Sequence, residues 1–217
     1  MTRLLCLGLA ILAAGCHDYR TDAPPPAQAA SLTSSPTDCA SPTTALRVDT
    51  TASVVNWRGT KFAGRGKHEG IVRLSSGTLE LCDGVLSGGS FTLDMRTIEV
   101  TDIPKSDPVP RARLRNHLLS DDFFAVETYP EAIFEIGGVD ALPGDSLRLQ
   151  GTLTMRGISE DIAFGADVSA PSPAQLDATA QFSLDRQRWG VAYRGDELAR
   201  GLVDDLVALD VQLRAER

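Results

Sequence analysis

Few side chains in this sequence are of types that do chemistry, and their spacing limits what they can do. His17, His68 and His117 show no pairwise metal-ligand spacing, and no CxxC accompanies Cys6, Cys16, Cys39 and Cys82; a metal site is therefore not expected. Asp121 with Asp122 and Asp204 with Asp205 offer paired carboxylates. Adjacent residues diverge on a turn or a strand, which suits caps and solvated faces better than a general acid and base. The run GRGKHEG at 64–70 has the wrong glycine spacing for a phosphate loop and no helix after it, so it reads as a hairpin. No GxSxG nucleophile elbow is present. Arg111, Arg113 and Arg115 form a basic cluster that could draw an anionic head group to a pocket mouth, or else is a solvated helix face. His68 and His117 could each face the same mouth. We expect no catalytic residue, no enzyme activity and no cofactor.

The stretch that must position these groups is 113–134, RLRNHLLSDDFFAVETYPEAIF. Leu114, His117 and Leu118 fall at i, i+3 and i+4, one face of a short helix. Ser120, Asp121 and Asp122 end that helix, because their side chains satisfy free backbone N–H groups. Phe123 and Phe124 cannot both leave water unless an apolar surface built elsewhere receives them, so the segment reads as a lid. Pro130 forbids helix and releases the chain into a strand at 132–136.

Most of the remaining sequence alternates with period two. Val55 and Trp57, then His68, Gly70, Val72 and Leu74, precede Leu79 and Leu81 after an expected turn at Ser76 and Gly77. Phe91, Leu93 and Met95 alternate with Thr92, Asp94 and Arg96; Ala132, Phe134 and Ile136 are followed by Leu147, Leu149, Gly151, Leu153 and Met155. Ile162, Phe164 and Ala166, then Ala178, Ala180, Phe182 and Leu184, then Val207, Leu209, Val211 and Leu213 complete the series. One-sided strands without long helices between them need a partner for their apolar faces. A closed antiparallel barrel supplies it and removes exposed edges, and a sandwich is the competing solution. At about eight strands a barrel is either filled by its own side chains or wide enough for one slender ligand. Gly70, Gly151, Ala166, Ala178 and Ala180 at inward positions leave room for the second. Residues 196–203, with Asp196 as cap, could form a helical turn near a mouth.

Length and charge bound the rest. The chain has 217 residues, 42% of them hydrophobic, and a formal charge of −8, which fits one globular domain plus an appendage and argues against nucleic acid as a partner. Residues 1–15 carry one formal charge, Arg3; with the apolar run that follows, they read as an export signal too short to span a bilayer. The ending LAAGC resembles a bacterial lipobox, which implies cleavage before Cys16, acylation of its thiol, and attachment to a membrane in the periplasm or cell envelope. Residues 16–45 are rich in Pro, Ala, Ser and Thr and are expected to be a loose tether of about 30 Å reach. With Cys6 removed and Cys16 lipidated, Cys39 and Cys82 remain as a pair in an oxidising compartment, and a disulfide between them is expected to contribute roughly 4 kcal/mol by chain-entropy accounting.

HLLSDDFFAVETYPEAIF resembles the signature of the YceI-like family. SVVNWRGTK at 53–61, GGSFTLDMRTIEVTD at 88–102, LQGTLTMRGI at 149–158 and DRQRWGVAY at 185–193 agree with it in order. The resemblance covers 46–217 and implies an all-β, elongated, lipocalin-like antiparallel barrel of about eight strands with a short capping helix. It also implies a polyisoprenoid or similar long apolar lipid in the lumen, isoprenoid quinones among the candidates. On that expectation the lumen is lined by Trp57, Phe91, Leu93, Met95, Phe134, Leu149, Leu153, Phe164 and Phe182. The alternative is a packed barrel serving as an envelope interaction module without a lipid.

Overall fold

The computed structural model describes residues 18–30, 39, 43–144, 146–172, 174–192 and 202–217. Cys16 and most of 196–203 lie outside them. The strands are β1 (Gln28–Ala29), β2 (Thr44–Val48), β3 (Val54–Lys61), β4 (Gly66–Cys82), β5 (Val85–Val100), β6 (Glu131–Ala141), β7 (Ser146–Met155), β8 (Ile158–Ser172), β9 (Gln175–Asp185) and β10 (Val203–Glu216). The helix α1 (Pro108–Leu119) joins β5 to β6, and a 3₁₀ turn, Arg186–Trp189, follows β9.

Every pairing between strands is antiparallel, and the pairings close a ring: β3 to β4, β4 to β5, and so on through β9 to β10, with β10 returning to β3. β2 and β3 share one position in that ring. Both lie between β4 and β10, β2 opposite Thr78 to Leu81 and β3 opposite Gly66 to Val72. The closed ring therefore has eight positions, and no sandwich forms. It is elongated because β4 and β5 run for 17 and 16 residues, roughly 50 Å each at the usual rise. Irregular register at Ile71/Arg73 and Leu74/Ser76 keeps β4 continuous while it bends.

Ser76 and Gly77, expected to turn the chain, instead lie inside β4, opposite Thr92 and Phe91. A Cβ on Gly77 would stand 2.6 Å from a Val48 methyl and 2.9 Å from Phe91 Cβ, so this glycine permits close packing and not reversal. The tether expectation is also corrected in part. Residues 18–30 lie against the barrel, held by Arg58 donating to the Asp22 carbonyl (2.8 Å) and by Ala27 N–H donating to the Ser183 carbonyl (2.8 Å). Backbone hydrogen bonds, which composition does not reveal, place that segment.

The ring has two unlike ends. At one, the β4–β5 turn and the start of β2 enclose Leu46, Leu79, Leu81, Leu86, Leu176 and Ala215, all buried in one cluster. Cys39 is bonded to Cys82 there, with Cα atoms 5.6 Å apart. At the other end α1 crosses the opening. Pro108 stands in its first turn, and the Ser120 N–H closes its last turn onto the Asn116 and His117 carbonyls. No residue of α1 is fully buried, as befits a helix that roofs a space.

Candidate functional site

The lidded half of the barrel encloses a cavity of about 430 Å³, within the range of small-molecule sites. All nine residues expected to line a lumen stand on its wall: Trp57 from β3, Phe91, Leu93 and Met95 from β5, Phe134 from β6, Leu149 and Leu153 from β7, Phe164 from β8 and Phe182 from β9. Trp57, Leu93 and Phe164 are only half-buried although they point inward.

The wall carries an aromatic belt. Phe91 and Phe134 are register partners with ring centroids 5.6 Å apart, Phe134 meets Phe164 at 5.4 Å, and Phe164 stacks on Phe182 at 4.0 Å. Phe134 reaches across β7 because Gly151 stands there; a Cβ on Gly151 would meet the Phe134 ring at 2.6 Å. Trp57 lies over Gly70 in the same manner. The space read at Gly70 and Gly151 is thus taken by neighbouring aromatics, while Ala166, Ala178 and Ala180 do face the cavity. The competing expectation, a barrel filled by its own side chains, describes only the other end.

The lid supplies Leu114, His117, Leu118, Phe123 and Phe124 to the cavity wall. His117 packs edge-on against Phe123 (5.1 Å) and lies 3.2 Å from an Asp122 carboxylate oxygen. The basic cluster does not reach the site. Arg111 stands 3.8 Å from Glu99, Arg115 donates to the Ile98 and Arg96 carbonyls at 2.8 Å, and Arg113 is exposed. These arginines fasten or solvate the outer face of α1, so the head-group expectation for them is corrected.

The cavity's ionisable side chains gather at the lidded end, while Thr179 is a polar residue farther along the wall. Lys61 Nζ lies 2.8 Å from His68 Nε2, and His68 Nδ1 lies 2.9 Å from an Asp102 carboxylate oxygen. An ammonium only donates and a carboxylate accepts, so the pair fixes His68 with its hydrogen on Nδ1. Asp204 accepts from Thr60 Oγ1 at 2.7 Å and from the Gly64 N–H at 3.0 Å. Arg186 is 5% exposed and donates to the carbonyls of Val191, Val203 and Asp204 and to Asp205. Burial pushes its pKa down from the usual arginine range, against the pull of Asp205, Asp185 and Asp204. Asp204 and Asp205 diverge, one inward to Thr60 and one outward to Arg186 and Gln187. The indole N–H of Trp57 is buried and has no hydrogen-bond partner among the described residues. Thr60, Lys61 and Arg186 were not among the sequence candidates, and Asp204 was weighed there only as half of a carboxylate pair.

Fold and site together define an elongated antiparallel β-barrel with an apolar lumen that is polar at its one lidded end. The chain belongs to the YceI-like family: the model of the YceI-like domain matches residues 46–215. Among solved structures, Burkholderia cenocepacia BcnA is similar at 17% identity and a TM-score of 0.58, over 77% of this chain and 99% of that one. A polyisoprenoid binding domain from Saccharophagus degradans, implicated in plant cell wall breakdown, is similar at 16% identity and a TM-score of 0.57, over 79% of this chain and 97% of that one. No curated protein matches the chain.

Proposed function

We propose that this protein binds one long apolar lipid, a polyisoprenoid or isoprenoid quinone, and holds it for sequestration or transfer in the cell envelope. The observation that carries the reading is the cavity itself: apolar and partly aromatic along its length, with its ionisable side chains at one end only. A chain with a single polar head fits that polarity. Its tail lies along the belt from Phe91 to Phe182, and its head meets Lys61 and His68.

Each isoprene unit gains on the order of 3 kcal/mol gross on burial, at ~0.8 kcal/mol per CH₂-sized group. Ordering the chain offsets much of this, and a lipid leaving a bilayer has already gained part of it. The net is modest and suits reversible exchange. The export signal and lipidated Cys16 would keep the barrel close to the membrane that supplies the lipid. Leu153→Arg tests the reading by placing a charge against the belt, where it cannot be solvated cheaply. The variant is expected to retain no long-chain lipid through purification; a variant that folds and still retains it would contradict the proposal.

A further inference from the structure

Neighbouring strands alone do not close the wall of this barrel. β8 and β9 pair directly only between Asp167↔Thr179 and Ser172↔Gln175. Beyond that stretch, toward the lidded end, residues 24–30 lie between Asp161–Ala163 of β8 and Ser183 of β9, antiparallel to the one and parallel to the other, until Arg188 of the turn after β9 meets Glu160 and Asp161 directly. On the β9 side, Ala27 N–H donates to the Ser183 carbonyl (2.8 Å), Ser183 N–H donates to the Pro25 carbonyl (3.0 Å), and Ser183 Oγ donates to the Pro24 carbonyl (2.8 Å). On the β8 side, Gln28 and Ala29 face Ala163 and Ile162, and Ala30 N–H donates to the Asp161 carbonyl (3.2 Å). Ala27 packs on the core cluster. The segment is a stave of the barrel drawn from far upstream in the chain.

We propose that this stave is removable and that the slot behind it is the portal through which the lipid enters and leaves. Three observations lead there. The stave is weakly laddered: Pro24, Pro25 and Pro26 have no N–H to donate, and β1 is only two residues long. The slot opens on apolar wall, since Ile162, Phe164, Ala180 and Phe182 flank it and line the cavity. The other routes suit a greasy chain badly: the far end is packed with leucines, and the lidded end would draw the tail past Lys61, His68 and Asp204. With the stave displaced, the flanking strands stand about 10 Å apart, twice the ordinary spacing. An extended hydrocarbon is no wider than the polypeptide it would replace. Return of the stave pairs both exposed edges again.

The inference rests on the proposed lipid site, and the test separates the two. Gln28 and Ala163 are register partners on the face opposite the cavity, since Ile162 points into it; Gln28 is exposed and Ala163, at 2% exposure, is covered. Gln28→Cys with Ala163→Cys, oxidised, bolts the stave to β8; Gln28→Ser with Ala163→Ser is the unbolted control. Uptake of diphenylhexatriene, which fluoresces in apolar surroundings and has no head group, is followed by stopped flow. Bolting is expected to slow uptake on the order of tenfold while equilibrium binding stays equal, as for any closed gate. Equal rates at equal binding would overturn the portal and leave the lipid site standing. No binding by control or wild type would overturn the site, and the portal with it. Where the cysteine pair fails to fold, Ser183→Ala gives the test from the other direction: loss of its hydrogen bond to Pro24 is expected to speed uptake, and unchanged uptake counts against the portal.

Discussion

The two ends of this barrel are built from the same alternating strands, yet one is solid and the other hollow. At the solid end Leu46, Leu79, Leu86 and Leu176 meet across the axis, and each is at most 4% exposed. At the hollow end the inward positions hold alanines, such as Ala166, Ala178 and Ala180, and phenylalanines that lie along the wall. Phe134 can lie along it because Gly151 clears its path, and Trp57 because Gly70 does. Branched aliphatic side chains project towards the axis and interlock; a flat ring resting on a glycine thickens the wall and leaves the axis open. Alternation therefore specifies the barrel, and the pairing of small with flat residues specifies the lumen.

The sharpest way to break the comparison is to hollow the solid end. Leu176→Ala is expected to lose about 2–5 kcal/mol of unfolding free energy, the usual cost of a buried leucine, with lipid capacity unchanged. Denaturant titration with a bound-lipid assay checks both halves of that statement. Gly151→Ala attacks the flat-ring device directly. Its Cβ would collide with the Phe134 ring and the Glu135 carbonyl, so a loss of about 1–3 kcal/mol is expected, together with weaker lipid binding as Phe134 swings toward the axis. A variant as stable and as capacious as wild type would show that the glycine is incidental.

Filling the hollow end is expected to act the other way round. Ala180→Leu adds volume where there is already space, so stability is expected to change by less than about 1 kcal/mol while lipid capacity falls. The smallest effect concerns the wall's outer face. The hydrogen bond from Arg214 holds the Asp177 carboxyl below the usual range. Burial pushes Asp210 up, but hydrogen bonds from Gln212, Gln181 and Asn56 outweigh it and hold that group low as well. Groups with depressed folded pKa values stabilise the fold above their unfolded value, near 4, and that contribution is lost as pH falls through the folded value. Unfolding midpoints measured from pH 6 downward are expected to hold until about pH 4 and then decline. Asp177→Asn is expected to blunt that decline slightly.

The strands and the lining were legible because a period of two states which side chains share a face, and Trp57, Phe91, Leu93 and Met95 follow it without interruption. Gly77 misled because glycine marks turns and close packing alike; only the position of Val48, on another strand, separates the two. Gly70 and Gly151 were legible as space but not as space already claimed. The polar end was legible only in His68 and His117, because Lys61, Asp204 and Arg186 come from separate strands and the turn after β9, and each alone looks like a solvated charge. Residues 24–30 were illegible for a different reason. Their place in the wall depends on backbone groups and on partners in β8 and β9, and a run of prolines and alanines reports neither.

The central claim is that the lidded half is hollow in order to hold a lipid. Protein purified natively, extracted with organic solvent and analysed by mass spectrometry, is predicted to yield one long-chain apolar lipid at close to one molecule per chain. Protein that yields no lipid, or only the bulk phospholipids in variable amounts, would contradict the account.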